Sequence, residues 1–380
     1  MMRFLLLLVL ALIGYGSLYP FEFIARPDGL DEALKLFTQP SLRMQRGDLI
    51  GNLLLFVPHG FLSALAARST PNPGRTSLRH AAIGILVAVA LQIAQIWLPS
   101  RVPALGDAII NTAGLALGLL FGMLALRVRP ALADSRHAAT FVPLLLMLAW
   151  VAYQWFPLVP TLDWQNVKNA LKPLLLAPQV DPVRIFATVV SWAAFFKLWD
   201  LLATGPRSAV LQAFGGITIL SAKLVILGAS ISLSNVIGLG LALVTLPWLH
   251  HSRSLPALAI AILFTLFVSG LQPFVPSGAP DSFAWMPFTG MLEGSMGTNL
   301  ANLLEKTFLY GAAVLFMHRH GARPIAAAIA VALCLATIEA AQLFLPGRTA
   351  ESTDPVLALL LGVAIAQLSR RPLTNSSKRR

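Results

Sequence analysis

Apolar stretches long enough to cross a bilayer alternate with short polar or basic loops along all 380 residues. A spanning helix needs about 20 mostly apolar residues, and the pattern predicts about twelve of them. The first covers 4–23, and a short amphipathic helix is expected after it at 30–37. The second opens at Asp48, with Pro58 and Gly60 placed to kink it. Pro99 stops the third, and the fourth runs from the region of Asp107 to about 126. Further helices are expected at 141–159, 184–203, 208–227 and 231–249, then at 256–271, 299–317, 324–345 and 354–369. The opening run resembles the apolar core of a secretory signal, but no A-x-A cleavage site follows it, so it is expected to stay as a helix.

Polar residues are set into this background at helical spacing, most densely between 92 and 118. Gln92 and Gln95 share a helix face, and Arg101 stands in the loop after Pro99. Asp107, Asn111, Gly114 and Gly118 follow at i, i+4, i+7 and i+11, one stripe on the next helix. Asp48 and Asn52 are one turn apart on the second helix. Unpartnered polar groups cost several kcal/mol in hydrocarbon, roughly, so the stripes should turn inward together. A functional site is the default reading of such residues, with helix-to-helix adhesion the alternative. Arg101 and Asp107 suit either a clamp for an anionic ligand or an internal salt bridge. Gly114 and Gly118 read as a packing step.

Composition agrees with an all-α polytopic membrane protein. Hydrophobic residues make up 57% and charged residues 12%, against about 25% charged in soluble domains, and mean hydropathy is +0.74. The formal charge of +12 comes from loop arginines and signals orientation, with no nucleic-acid footprint. Of the 28 Lys and Arg, sixteen fall on one side of a twelve-helix arrangement, nine on the other and three within helices. The richer side is expected to be cytoplasmic, which puts both termini there, and Asp48, Arg101, Asp107 and Arg348 at the outer face of the inner membrane. The single cysteine, Cys334, excludes an internal disulfide. No cofactor or metal is expected: the histidines offer no metal-ligand spacing, and no phosphate-binding loop, H-E-x-x-H or nucleophile elbow occurs.

The chain also repeats itself. Residues 94–107 (AQIWLPSRVPALGD) align without a gap on 341–354 (AQLFLPGRTAESTD), with six of fourteen positions identical. Gln95, Arg101 and Asp107 thereby meet Gln342, Arg348 and Asp354, and Gln92 meets Glu339. A middle copy places Lys223 and Asn235 at the Gln and Asp positions. The segments GSLYPF (16–21), YQWFP (153–157) and SGLQPF (269–274) echo one another. Three parallel four-helix repeats follow, at 1–127, 137–250 and 256–370, with a disordered basic tail at 371–380.

Asn52, Phe56, Pro58 and Gly60, then Gln95 and Arg101, then Asp107, Asn111, Gly114 and Gly118 form a set that resembles the VanZ-like family. Gln92 stands where that family usually has Glu. The third repeat supplies the Glu, but has Ala358 and Leu361 where Asn111 and Gly114 stand. The resemblance implies a bacterial membrane domain associated with resistance to glycopeptide antibiotics such as teicoplanin. The expected role is binding of a membrane lipid or another amphiphile at the outer face, or an accessory role towards it. The ligand-binding candidates are Asp48, Asn52, Gln95, Arg101, Asp107, Asn111, Glu339, Gln342, Arg348 and Asp354. A transporter or lipid flippase is the alternative, with Lys197, Lys223, Glu305 and Glu339 along a path. An enzyme using Asp48 or Asp107 as general base lacks a nucleophile or metal motif to support it.

Overall fold

A computed structural model of the chain describes residues 2–38, 46–68, 70–128, 138–202, 209–276, 280–293 and 296–369. The tail at 371–380 and the side chain of Asp48 lie outside the described residues. The chain divides into two compact units, one within Met1–Ala138 and one at Ala139–Arg370.

The first unit comprises α1 (Met2–Leu18), α2 (Gly29–Thr38), α3 (Arg46–Arg68), α4 (Pro73–Gln95) and α5 (Leu105–Val128). α4 opens on Pro73, whose missing N–H is one the first turn of a helix does not need. α2 presents Leu30, Leu34 and Phe37 to the surroundings at i, i+4 and i+7, as a helix lying in a membrane interface does. Ile13, Phe56, Ala88, Leu91 and Leu115 form the core, drawing on α1, α3, α4 and α5. The tightest contact is a parallel crossing of α3 and α5. A methyl group on Gly114, Gly118 or Gly60 would come within 1.9–2.1 Å of the carbonyl oxygens of Leu53, Val57 and Leu115 respectively. The two backbones therefore touch, which only a seam of glycines allows. This contact also fixes the register: Leu53 beside Gly114 and Val57 beside Gly118 align the polar first turns of both helices.

The second unit begins with α6 (Ala138–Gln154), α7 (Trp164–Leu175), α8 (Pro182–Leu202) and α9 (Ala209–Ala222), which tightens into a 3-10 turn at Lys223–Val225. It continues with α10 (Leu233–Val244), α11 (Leu246–Leu249), α12 (Ser254–Gly270), β1 (Phe283–Ala284), α13 (Thr289–Glu293), α14 (Met296–Arg319), α15 (Pro324–Gln342), β2 (Ala350–Glu351) and α16 (Thr353–Ser369). β1 and β2 pair in parallel. The segments expected as separate repeats at 137–250 and 256–370 share one core here. Trp150 of α6 meets Trp192 and Phe195 of α8 at ring distances of 4.4 and 4.8 Å, and Phe308 of α14 at 5.6 Å. Lys197 is buried in α8. Its ammonium donates to the carbonyls of Leu249 (2.6 Å) and His251 (3.1 Å) and to Asp200 (3.4 Å), so the expected Lys197–Asp200 pairing is present.

Five described helices, in α4, α5, α8, α14 and α15, are long and apolar enough to cross a membrane, and six shorter ones are apolar. Leu86, Val210, Phe214, Val244 and Ile260 stand outward and exposed, the arrangement of helices whose outer faces meet lipid.

Candidate functional site

α1 ends where its last carbonyls would otherwise be orphaned, as at every helix C-terminus. The chain turns there through Tyr19, Pro20 and Phe21, with a cis Tyr19–Pro20 bond and Phe21 at φ 67°. The turn satisfies two carbonyls, with Tyr19 N donating to Tyr15 and Phe21 N to Leu18. Side chains from the far end of α4 and the loop after it satisfy the rest. Gln95 Nε2 donates to Ser17 O at 2.8 Å. Arg101 donates through Nε to Tyr19 O at 3.2 Å and through a terminal nitrogen to Gly16 O at 3.4 Å. Gln92, 4% exposed, accepts from the backbone of Ala104 at 3.0 Å and thereby sets the start of α5. Gln92, Gln95 and Arg101 thus form one joint between α1, α4 and α5.

The second unit contains the same joint, with each of its side-chain bonds repeated. Gln342 Nε2 donates to Gly270 O at 2.9 Å. Arg348 donates to Gln272 O and Ser269 O, both at 2.9 Å. Glu339 accepts from Glu351 N at 2.8 Å, and Phe274 N donates to Leu271 O at 2.8 Å. Phe274, like Phe21, follows a cis proline and has positive φ, as does Leu158 after Pro157. In that middle segment Lys223 stands at the Gln position and reaches Gln154 Oε1 at 3.5 Å, and Leu158 N donates to Trp155 O at 2.6 Å.

The VanZ/LLP1 family model matches residues 4–126. The match covers α1 to α5 and hence the whole first joint. No curated protein and no solved structure matches the chain.

In this VanZ-like segment two of the arginine's donors serve helix α1. The reason is electrostatic. Carbonyl oxygens at a helix C-terminus carry partial negative charge, and a guanidinium is the donor that can bridge two of them at fixed spacing. Asn111 of α5 is 3% exposed, and its Oδ1 has no hydrogen-bond partner among the described residues. Asn52 is half-buried on α3, in the layer that the Leu53–Gly114 contact aligns with α5.

The second joint carries more charge. Asp354, at the start of α16, accepts from Lys306 Nζ at 2.5 Å and from Tyr310 Oη at 2.7 Å. Lys306 and Tyr310 are one turn apart on α14, so both reach the same carboxylate. Arg348 is therefore not the aspartate's partner. Glu339 lies within electrostatic reach of Asp354 and Lys306, while Glu305 hydrogen-bonds Tyr153. Sequence reasoning noted Lys306 but did not join it to Asp354, and it missed Tyr310. The available signal was the i, i+4 spacing of a lysine and a tyrosine on one helix. Among the described residues no cluster of His, Cys, Asp and Glu has the geometry to hold a metal ion.

Proposed function

We propose that this is a VanZ-type membrane protein of the bacterial inner membrane, with twelve spans in three four-helix repeats and both termini cytoplasmic. In this reading it binds an amphiphile at the outer membrane face. The family match over 4–126 supports the class, and the recurrence of one joint in two places supports the repeat. The observation that carries the binding role is the Lys306–Asp354–Tyr310 group. Its side chains sit inside apolar helices, yet Lys306 keeps 29% and Asp354 13% of its side-chain surface open. Ionic groups so placed are expensive in a membrane, and a site open to an amphiphile gives them a use. Asp48, Asn52, Asp107 and Asn111 are the corresponding ligand-facing candidates of the first repeat, with Glu339 and Asp354 in the third. Gln95, Arg101, Gln342 and Arg348 hold the ends of α1 and α12 in the same two joints.

The family association makes teicoplanin the first probe. Purified protein in nanodiscs should bind it measurably by microscale thermophoresis. A Lys306→Met/Asp354→Leu double variant removes both charges together, and binding should weaken by about tenfold or more. Equal binding by wild type and double variant, or none by the wild type, would defeat the proposal.

A further inference from the structure

The middle segment holds a cavity of about 450 Å³ lined by α7, the loop before α8, the first turn of α8 and the start of α10. Three features of its wall are made for an anion. Lys172 and Arg184 stand exposed on opposite elements, and neither side chain has an ion pair or hydrogen bond among the described residues. Ser234, 1% exposed, lines the cavity, and its hydroxyl likewise has no partner there. Ser234 also lies in the first turn of α10, a 12-residue helix whose cap, Ser232, receives Asn235 N and leaves the N–H groups of Leu233 and Ser234 open. The one carboxylate in the wall, Asp181, is turned to its own helix, accepting from Val183 N and Arg184 N at 3.0 and 3.1 Å.

The fold holds these groups in place. Asn166 of α7 donates to Leu224 O and Ile226 O and accepts from Gly228 N, and Ile231 N donates to Ala170 O. α7 is thus tied to the loop that leads into α10, and Lys172 and Ser234 line the same cavity. The apolar residues Trp164, Leu175 and Leu176 of α7 and its end are exposed, as on a helix resting at a membrane interface.

We propose that this cavity is a binding site for a phosphate group, held between Lys172, Arg184 and the start of α10. The shared chemistry is a phosphate ester, borne either by a phospholipid headgroup or by a small soluble molecule. This site shares no residue with the Lys306–Asp354 group, so the two proposals stand or fall separately.

The test uses the full chain in two arms. In the first, the protein in nanodiscs of mixed phosphatidylcholine and phosphatidylglycerol is released for native mass spectrometry and retained phosphatidylglycerol is counted. In the second, sn-glycerol 3-phosphate is titrated calorimetrically into protein in neutral detergent. Lys172→Ala/Arg184→Ala removes two exposed side chains that make no hydrogen bond or ion pair among the described residues, so its melting temperature should stay near that of the wild type. Its retention or affinity should fall by about tenfold or more. Ser234→Ala, a smaller change in the cavity wall, should weaken binding several-fold. Lipid retention alone assigns a headgroup, and binding in both arms assigns the phosphate ester itself; either result supports the site. Equal binding by wild type and the double variant, or no binding in either arm, would overturn it.

Discussion

The α3–α5 contact makes the most severe demand on the structure, and Gly114→Ala tests it. The added methyl would meet Leu53 O at 1.9 Å, whereas ordinary contact begins at 3.4 Å. The helices would have to part by about 1.5 Å at that point. They cannot do so locally, because Gly60, Gly118 and Gly122 bring the same two backbones together along the rest of the seam. Overpacking of a rigid site costs about 1–3 kcal/mol. With backbone as the obstacle, the upper end applies, about 3 kcal/mol or roughly a hundredfold in the folding equilibrium. Thermal melting in detergent, followed by fluorescence-detected gel filtration, reads the loss. Gly14→Ala and Gly240→Ala are the controls. Each lies within a helix with no atom within 4 Å of the new methyl, so each should be neutral or gain about 0.4–1 kcal/mol. A Gly114→Ala protein that melts with the controls would refute the backbone contact and the helix register built on it.

Arg101→Ala leaves the carbonyls of Gly16 and Tyr19 without a donor and should lower stability by about 3 kcal/mol, while Arg101→Lys, keeping one donor at best, should lose about half of that in the same melting assay. Exchanging Arg101 and Asp107 should rescue nothing, because a carboxylate cannot serve carbonyl oxygens; rescue would restore the salt-bridge reading. In a double-mutant cycle on Lys306 and Asp354, each single neutral variant should cost about 3 kcal/mol and the apolar double variant much less, and additive losses would mean the pair is uncoupled. Reporter fusions at Arg75, Arg136, Arg253 and Arg323 should read cytoplasm, and those at Pro40, Val180 and Gly278 the outside; one reversed fusion would remove the twelve-span topology.

The sequence by itself determined the helices, since an apolar run of bilayer length has little choice but to satisfy its backbone internally. It also determined the echo between 94–107 and 341–354, and with it that Gln95 and Gln342, or Arg101 and Arg348, would do the same thing. The surface helix α2 was legible from its 3.6-residue pattern. α7 was not, because its polar turns resemble a loop until Asn166 finds the carbonyls of Leu224 and Ile226 about 60 residues away. Partner choice was decided by the tertiary structure alone. Arg101 and Asp107 are near in sequence and opposite in charge, which suggested a pair. The arginine's acceptors lie 82 and 85 residues upstream. Asp354 likewise takes its donors from α14, 44 and 48 residues before it. A hydrogen bond is chosen by the groups left unsatisfied within about 3 Å, and only the packed bundle brings the ends of α1 and α12 to the arginines that serve them.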